Sequence, residues 1–370
     1  MYTVPKKIIF YYPGEIVSVG LSGSEIRPFE MLTAFKAKGY DVFEITGSSF
    51  KRYRRFRELK RMGYTKFDYF YGENSTTPTL FNDRDHIPRH PLLELFVLRW
   101  VKKHKIPIGL FYRDIYWKFP SLMKGVPSYK RLALIAAYKV ELFIYTYYSN
   151  VILVPSKQMG ALLRINSSIR IEVLPPAVRT EKIFRSFNEE RPLRILYVGG
   201  IDIKGLYDIT PILELCRENM RLTICCRQSE WEKCYSYYKK YLDKCEVNVV
   251  HAYGRDLEAL YSDADVFSLL RLENEYLKMC MPFKIFESIG HGLPVICYSG
   301  SAYADFVLNN GCGWVVNSKE EAGSVLESLS NNRHNLFLVQ ERTIEVAMKN
   351  HYTDRIESLD EIMYKTNKLR

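Results

Sequence analysis

Lys284 and Glu287 stand one helical turn apart, directly after Pro282, in the stretch Met281-Pro-Phe-Lys-Ile-Phe-Glu-Ser-Ile-Gly-His-Gly-Leu-Pro-Val-Ile-Cys297. Proline suits a first helical turn, where its missing N–H costs no hydrogen bond. Ile285, Phe286 and Ile289 follow at helical spacing, and Gly290 and Gly292 close the turn before Pro294-Val-Ile-Cys297, which reads as a short buried strand. A helix start offers free N–H groups and the positive end of the dipole, which suits a phosphate. Lys284 adds charge there, and the Glu287 carboxylate is an acceptor for the paired hydroxyls of a ribose. This is chemistry for binding a nucleotide sugar. An ordinary helix with a solvated Lys–Glu pair is the other reading of the same spacing.

A second cation, Lys204, lies beside Gly199, Gly200 and Gly205, and glycines let backbone approach a phosphate closely. A solvated loop lysine is the alternative. In His251-Ala-Tyr-Gly254, Tyr253 stands after a strand where it either stacks on a base or packs on its own domain. For the acceptor proton the candidate is Asp114, in Phe111-Tyr-Arg-Asp-Ile-Tyr-Trp-Lys118. A shielded Asp serves as a base. Arg113 beside it offers charge, and Trp117 offers a flat face for a sugar. Asp114 is equally suited to cap a helix or pair with Arg113. Gly23, Ser24 and Arg27, with Ser22, form a loop suited to a phosphate of donor or acceptor, or to local capping.

These residues need elements to hold them. Lys7–Tyr12 reads as a first strand, a Gly/Ser-rich loop runs from Pro13 to Ser24, a helix spans about Glu25 to Lys38, and Tyr40–Ile45 is the next strand. Ile108–Tyr112 and Val151–Val154 are further strands. Asp114 therefore falls just beyond a strand's carboxyl end, where open α/β sheets bind ligands. The chain turns polar between Arg179 and Arg194 and then starts again: strand Leu193–Val198, a helix near Asp208–Arg217, strands Leu222–Cys226 and Val247–Val250, helix Asp256–Ser262 and strand Val266–Leu269. Strands alternating with helices imply parallel sheets covered on both faces. We expect an N-terminal Rossmann-like domain over 1–180, a C-terminal one over 190–351, and a last helix, about 352–370, packing back on the first. The glycines do not match the dinucleotide fingerprint.

In this order the motifs resemble the two-Rossmann (GT-B) glycosyltransferases, especially family 4-like enzymes of bacterial surface polysaccharide assembly. The resemblance rests on Leu21-Ser-Gly-Ser-Glu-Ile-Arg-Pro-Phe-Glu30, Ser149-Asn-Val-Ile-Leu-Val-Pro-Ser156 and Val173-Leu-Pro-Pro-Ala-Val178 in the first half. In the second half it rests on Tyr197-Val-Gly-Gly-Ile-Asp-Ile-Lys-Gly205, Leu257–Val266, and Pro282-x-Lys-x-x-Glu287 with Gly292-x-Pro-Val-Ile296. It implies an α/β protein of two Rossmann-like domains facing a central cleft. It also implies a nucleotide-sugar donor, a UDP-sugar by preference, and a lipid-linked or growing polysaccharide acceptor, with no metal cofactor. Two positions depart from the family pattern. Met279 stands where the family's first donor-sugar carboxylate falls, with Glu273 and Glu275 out of register, and Gly200 stands where the family has an Arg.

The net charge of +11 over 370 residues favours an anionic partner. Much of the surplus is in Lys51-Arg-Tyr-Arg-Arg-Phe-Arg-Glu-Leu-Lys-Arg61, where Tyr53, Phe56 and Leu59 share a helical face. That face is suited either to an anionic membrane surface or to its own domain. Leu132–Val154 is apolar, but Lys139 and Glu141 interrupt it and Ser149-Asn150 break it. A helix ending near Tyr148 and a strand fit better than a span. The eight cysteines, all between Cys216 and Cys312, lack metal-ligand spacing and read as buried free thiols. No signal peptide is expected, so the location reads as cytoplasmic, peripheral at the inner face of the cell membrane. A nucleotide-sugar 2-epimerase or hydrolase on the same fold is a second reading. A basic nucleic-acid-binding protein is a third, but the run is local and no reading motif accompanies it, so nucleic acid is not an expected partner.

Overall fold

The computed structural model describes residues 5–18, 23–63, 66–165, 169–179, 191–254, 256–272 and 274–368. The chain divides into two compact units, residues 1–175 with 352–370, and residues 176–351. Residues 180–190, the core of the expected linker, lie outside the described residues, as does Ser22.

The first unit carries six parallel strands: β1 (Lys7–Tyr12), β2 (Asp41–Thr46), β3 (Tyr69–Glu73), β4 (Ile108–Phe111), β5 (Val151–Val154) and β6 (Arg170–Val173). Between them run α1 (Gly23–Ala37), α2 (Ser49–Arg61), α3 (Leu93–Lys103), α4 (Ser128–Tyr148) and α5 (Lys157–Leu163). The strand order is β2-β1-β3-β4-β5-β6. Ile8 is paired with both Val42 and Tyr69. Strands covered on both faces are apolar throughout rather than alternating, and every residue of β3, β4 and β5 is buried. The expected helix ending near Tyr148 is α4, and among the described residues no helix is long and apolar enough to cross a membrane.

The second unit is built from β7 (Leu193–Val198), β8 (Met220–Cys225), β9 (Glu246–Val250), β10 (Val266–Leu269), β11 (Val295–Tyr298) and β12 (Gly313–Val316). Its helices are α6 (Thr210–Leu215), α7 (Gln228–Tyr238), α8 (Asp256–Asp263), α9 (Phe283–Gly290), α10 (Ala302–Asn310), α11 (Lys319–Asn331) and α12 (His334–Met348). The order is β12-β11-β10-β7-β8-β9, again all parallel. The chain enters and leaves this unit side by side, with Val178 N–H donating to the Asn350 carbonyl at 2.8 Å.

A last helix, α13 (Tyr352–Lys368), returns to the first unit and packs on α1. Ile356, Leu359 and Met363, at helical spacing, are its buried stripe. Gly109 makes room for it, since a Cβ there would lie 2.8 Å from the Met363 sulfur. Asp360 accepts from Tyr69 Oη at 2.8 Å and from Lys6 Nζ at 2.7 Å, fixing the register.

One expectation changes, and for the basic run the packing alternative is the one seen for Phe56 and Leu59. Cys216 and Cys245 are joined by a disulfide, because the end of α6 and the start of β9 bring their Cα atoms to 5.8 Å. The other six cysteines are free thiols, and all but Cys280 are buried. The basic run 51–61 is α2, and its apolar side faces home: Phe56 and Leu59 are buried. Arg52 is buried with them, donating to Tyr11 Oη at 2.6 Å and to the Gly47 carbonyl at 3.0 Å.

Candidate functional site

In an open parallel sheet the chain leaves in opposite directions from two adjacent strands, and a crevice opens beyond their carboxyl ends. In the second unit those strands are β7 and β10. Gly199 and Gly200 follow β7, and Arg271 follows β10. The two loops touch: a Cβ on Gly199 would meet Arg271 Nη2 at 3.1 Å, so glycine here leaves space for that guanidinium. Arg271 is only 8% exposed, donates to Tyr197 Oη at 3.3 Å and lies over the Tyr197 and Tyr207 rings. Its Nε has no partner. A buried cation with an unused N–H is a ready site for an anion.

Arg271 and Lys204 share the lining of a cavity of about 580 Å³ with Ser299, Gly300, Ser301 and Tyr303. Lys204 is exposed and takes a left-handed backbone at φ +54°, held by its N–H donating to Asp208 Oδ2 at 2.9 Å.

Lys284 and Glu287 stand at the start of α9, which follows the loop that leaves β10. Pro282 precedes α9, whose N-terminus has no side-chain cap, and the Ile285 N–H donates to the Pro282 carbonyl at 3.2 Å. Lys284 Nζ and Glu287 Oε2 pair at 2.6 Å. Tyr261 Oη donates to the same oxygen at 3.0 Å, and its ring stacks on His291. The pair is thus anchored through a buried tyrosine, whose pKa is pushed well up by burial and by the Glu287 charge. Cys225, ending β8, links this corner to the loop after β9: its Sγ donates to the Ala252 carbonyl at 3.4 Å. Burial raises its thiol pKa, while the Ala252 bond and the nearby Lys284 charge work the other way. Tyr253, next in that loop, is 68% exposed, with its ring face open.

The first unit gathers a different group where β1 and β3 diverge. Glu73, at the end of β3, is fully buried and sits 3.3 Å from Arg27 Nε on one side and 3.3 Å from Arg113 Nη2 on the other. Tyr71 Oη donates to it at 2.6 Å. Arg27 projects from α1, lies over the Phe111 ring at 3.8 Å and donates to the Pro175 carbonyl, which also accepts from Arg355. Burial opposes the Arg27 charge most strongly, but Glu73 together with Tyr71 and Tyr352 holds its pKa up. Burial and the neighbouring Arg27 push Arg355 down to about 10. Arginines outnumber carboxylates here, leaving the cluster positive.

Asp114, half-buried in the loop after β4, accepts from Tyr116 N–H at 2.9 Å and so caps the short 3-10 turn Tyr116–Lys118. Trp117 was expected to offer a sugar platform, and here the structure differs. Its ring is buried and stacks on Tyr138 at 5.4 Å, because the apolar turn closes a small core with Met123. Gly23 and Ser24 open α1, leaving Arg27 one turn in. Glu273 lies outside the described residues. Among the described residues, no three His, Cys, Asp or Glu side chains gather to hold a metal ion.

The residues that sequence reasoning missed are Arg271, Glu73 and Tyr261. Two had a faint signal: Arg271 follows a predicted strand's carboxyl end, and Tyr261 lies in a predicted helix.

The family described as Glucosyltransferase 3-like, C-terminal domain, matches residues 263–356. No curated protein sequence matches the chain. Among solved structures it is similar to HepE of Anabaena in complex with UDP and glucose, with 10% identity, a TM-score of 0.61, and coverage of 97% of this chain and 100% of that one. It is also similar to sucrose-phosphate synthase of Thermosynechococcus elongatus, with 12% identity, 98% and 100% coverage and a TM-score of 0.61. WaaG, a glycosyltransferase involved in lipopolysaccharide biosynthesis, is similar at 14% identity, 96% and 99% coverage and a TM-score of 0.58. At these identities the likeness establishes the fold: two Rossmann-like domains of the GT-B type.

Proposed function

We propose that this chain is a glycosyltransferase that moves a sugar from a nucleotide sugar, a UDP-sugar by preference, to a lipid-linked or growing polysaccharide acceptor at the inner face of a membrane. The observation that carries the reading is Arg271 beside Gly199 at the switch point of the second sheet. A buried guanidinium with a free N–H faces the loop where this chain has Gly200 in place of the family's arginine. Matches to proteins solved with UDP or UDP-glucose support the choice of donor.

In the reaction the bond from the sugar's anomeric carbon to the diphosphate oxygen breaks, and one to the acceptor oxygen forms. The bonding pair leaves with the diphosphate, which gains negative charge, so fixed cations act most strongly as the bond breaks. Arg271, Lys204, Lys284 and the first N–H groups of α9 take that role. Glu287, held by Tyr261, takes the ribose hydroxyls, and Tyr253 stacks on the base. Asp114 takes the acceptor proton if the sugar inverts and orients the acceptor if it does not. The positive Arg27–Glu73–Arg113 cluster suits a phosphate of a lipid-linked acceptor.

The test is transfer of labelled sugar from a panel of UDP-sugars in the presence and absence of a bacterial lipid extract. Label moving into the organic phase together with UDP release supports the reading. UDP release that ignores the extract supports a hydrolase or epimerase, and no turnover of any nucleotide sugar contradicts both.

A further inference from the structure

The outward side of α3 and α4 is unusual for a sheet-covering layer. These helices pack side by side, with α2 next to α3. Along the 21 residues of α4, Leu132, Ala136, Val140, Phe143 and Tyr147 recur at three- and four-residue spacing on the exposed side. Val140 is 58% exposed, Phe143 69% and Tyr147 60%. Phe96 on α3 is 51% exposed. At 1.5 Å per residue, the stripe from Leu132 to Tyr147 runs about 22 Å. Between α2 and α3 lies an apolar trough of about 650 Å³, with Phe56, Phe96 and Trp100 in its lining and Arg99 and Lys103 among its cations.

Charge decides what covers this face. The helices carry one acid each, and both are turned into the domain: Glu94 accepts from Tyr145 Oη and Glu141 from Thr79 N–H. Arg99, Lys103, Lys130 and Lys139 are exposed. A second copy of the same face would set cation against cation. An anionic surface with an apolar interior complements it, since cations meet headgroups while aromatics and aliphatics enter below them.

We infer that the outer face of α3 and α4 docks on an anionic lipid bilayer, with the α2–α3 trough receiving a lipid chain. This rests on the acceptor reading above and deepens it: α2, whose apolar side the sequence left open between a membrane and its own domain, buries Phe56 and Leu59 in that domain.

The test is flotation of the full chain with vesicles of phosphatidylcholine alone or mixed with phosphatidylglycerol. Wild type floats with the mixed vesicles, less so as salt is added, because exposed charges are screened. Val140→Ser/Phe143→Ser loses at least about tenfold in partitioning. Lys103→Gln/Lys130→Gln/Lys139→Gln loses on the order of 100-fold at low salt. Both variants keep wild-type melting and UDP affinity. Wild type ignoring anionic vesicles at low salt, or both variants floating like wild type, overturns the proposal. So does a dimer in sedimentation velocity that Val140→Ser/Phe143→Ser abolishes without any vesicle binding. Flotation without sugar transfer keeps the docking face and removes the acceptor reading instead.

Discussion

At the scale of single residues, the site depends on side chains whose partners prepare them for a ligand. Glu287 is held by Tyr261 and balanced by Lys284. Glu287→Gln keeps an acceptor for Tyr261 but removes the charge, so UDP affinity should fall about tenfold, the worth of one charge-assisted hydrogen bond. Calorimetry on a variant with unchanged melting checks this; unchanged affinity would remove the ribose role. Asp114→Asn retains the cap on Tyr116, because an amide oxygen accepts as well as a carboxylate does. If Asp114 is the base, kcat should drop ~10²–10⁴-fold with little change in the KM for donor. Near-normal turnover would leave it as a cap alone.

Elements explain both what could be read in advance and what could not. The strands Lys7–Tyr12, Val151–Val154, Leu193–Val198 and Val266–Leu269 were legible to the residue, because strands buried on both faces write themselves as apolar runs. The helix that carries Lys284 and Glu287 was legible through a proline, helical spacing and two glycines. β3 was not, since Tyr69-Phe-Tyr-Gly-Glu73 is aromatic, short and ends in a glycine and a charge. With β3 went Glu73, whose burial only the sheet reveals. Trp117 was misread because nothing local shows that Tyr138, 21 residues on, comes back to cover it. The disulfide is the same kind of miss, made by two elements meeting.

The junction of α3 and α4 also sets a pH dependence. Burial, reinforced by the Glu141 charge, pushes the Glu94 carboxyl up to about 8, and burial raises Glu141 as well. The folded state then holds protons that the unfolded chain, with ordinary carboxyl groups, releases near pH 4–5. Stability contributed here is present at low pH and falls as pH rises through that range toward 8. Urea unfolding followed from pH 5 to about pH 8 should show decreasing stability, and Glu94→Gln should flatten the trend. A parallel slope in the variant would place the effect elsewhere.

At the scale of the whole molecule, one chain carries two sheets of different strand order, each with a crevice where its order reverses. The second crevice collects Arg271, Lys204 and the start of α9, and the first collects Arg27, Glu73 and Arg113. Its surplus of 11 positive charges is therefore not spread evenly in meaning: some cations are buried at the crevices, and others stand on α3 and α4 with both local acids turned inward. The central claim is that the second crevice binds a nucleoside diphosphate through its cations. Calorimetric titration of the full chain with UDP and with uridine, repeated on Arg271→Gln, tests it most directly. The account predicts one UDP per chain, far weaker binding of uridine, and an Arg271→Gln variant that loses about tenfold or more for UDP while binding uridine as before. UDP and uridine binding equally, or Arg271→Gln leaving UDP untouched, would contradict it.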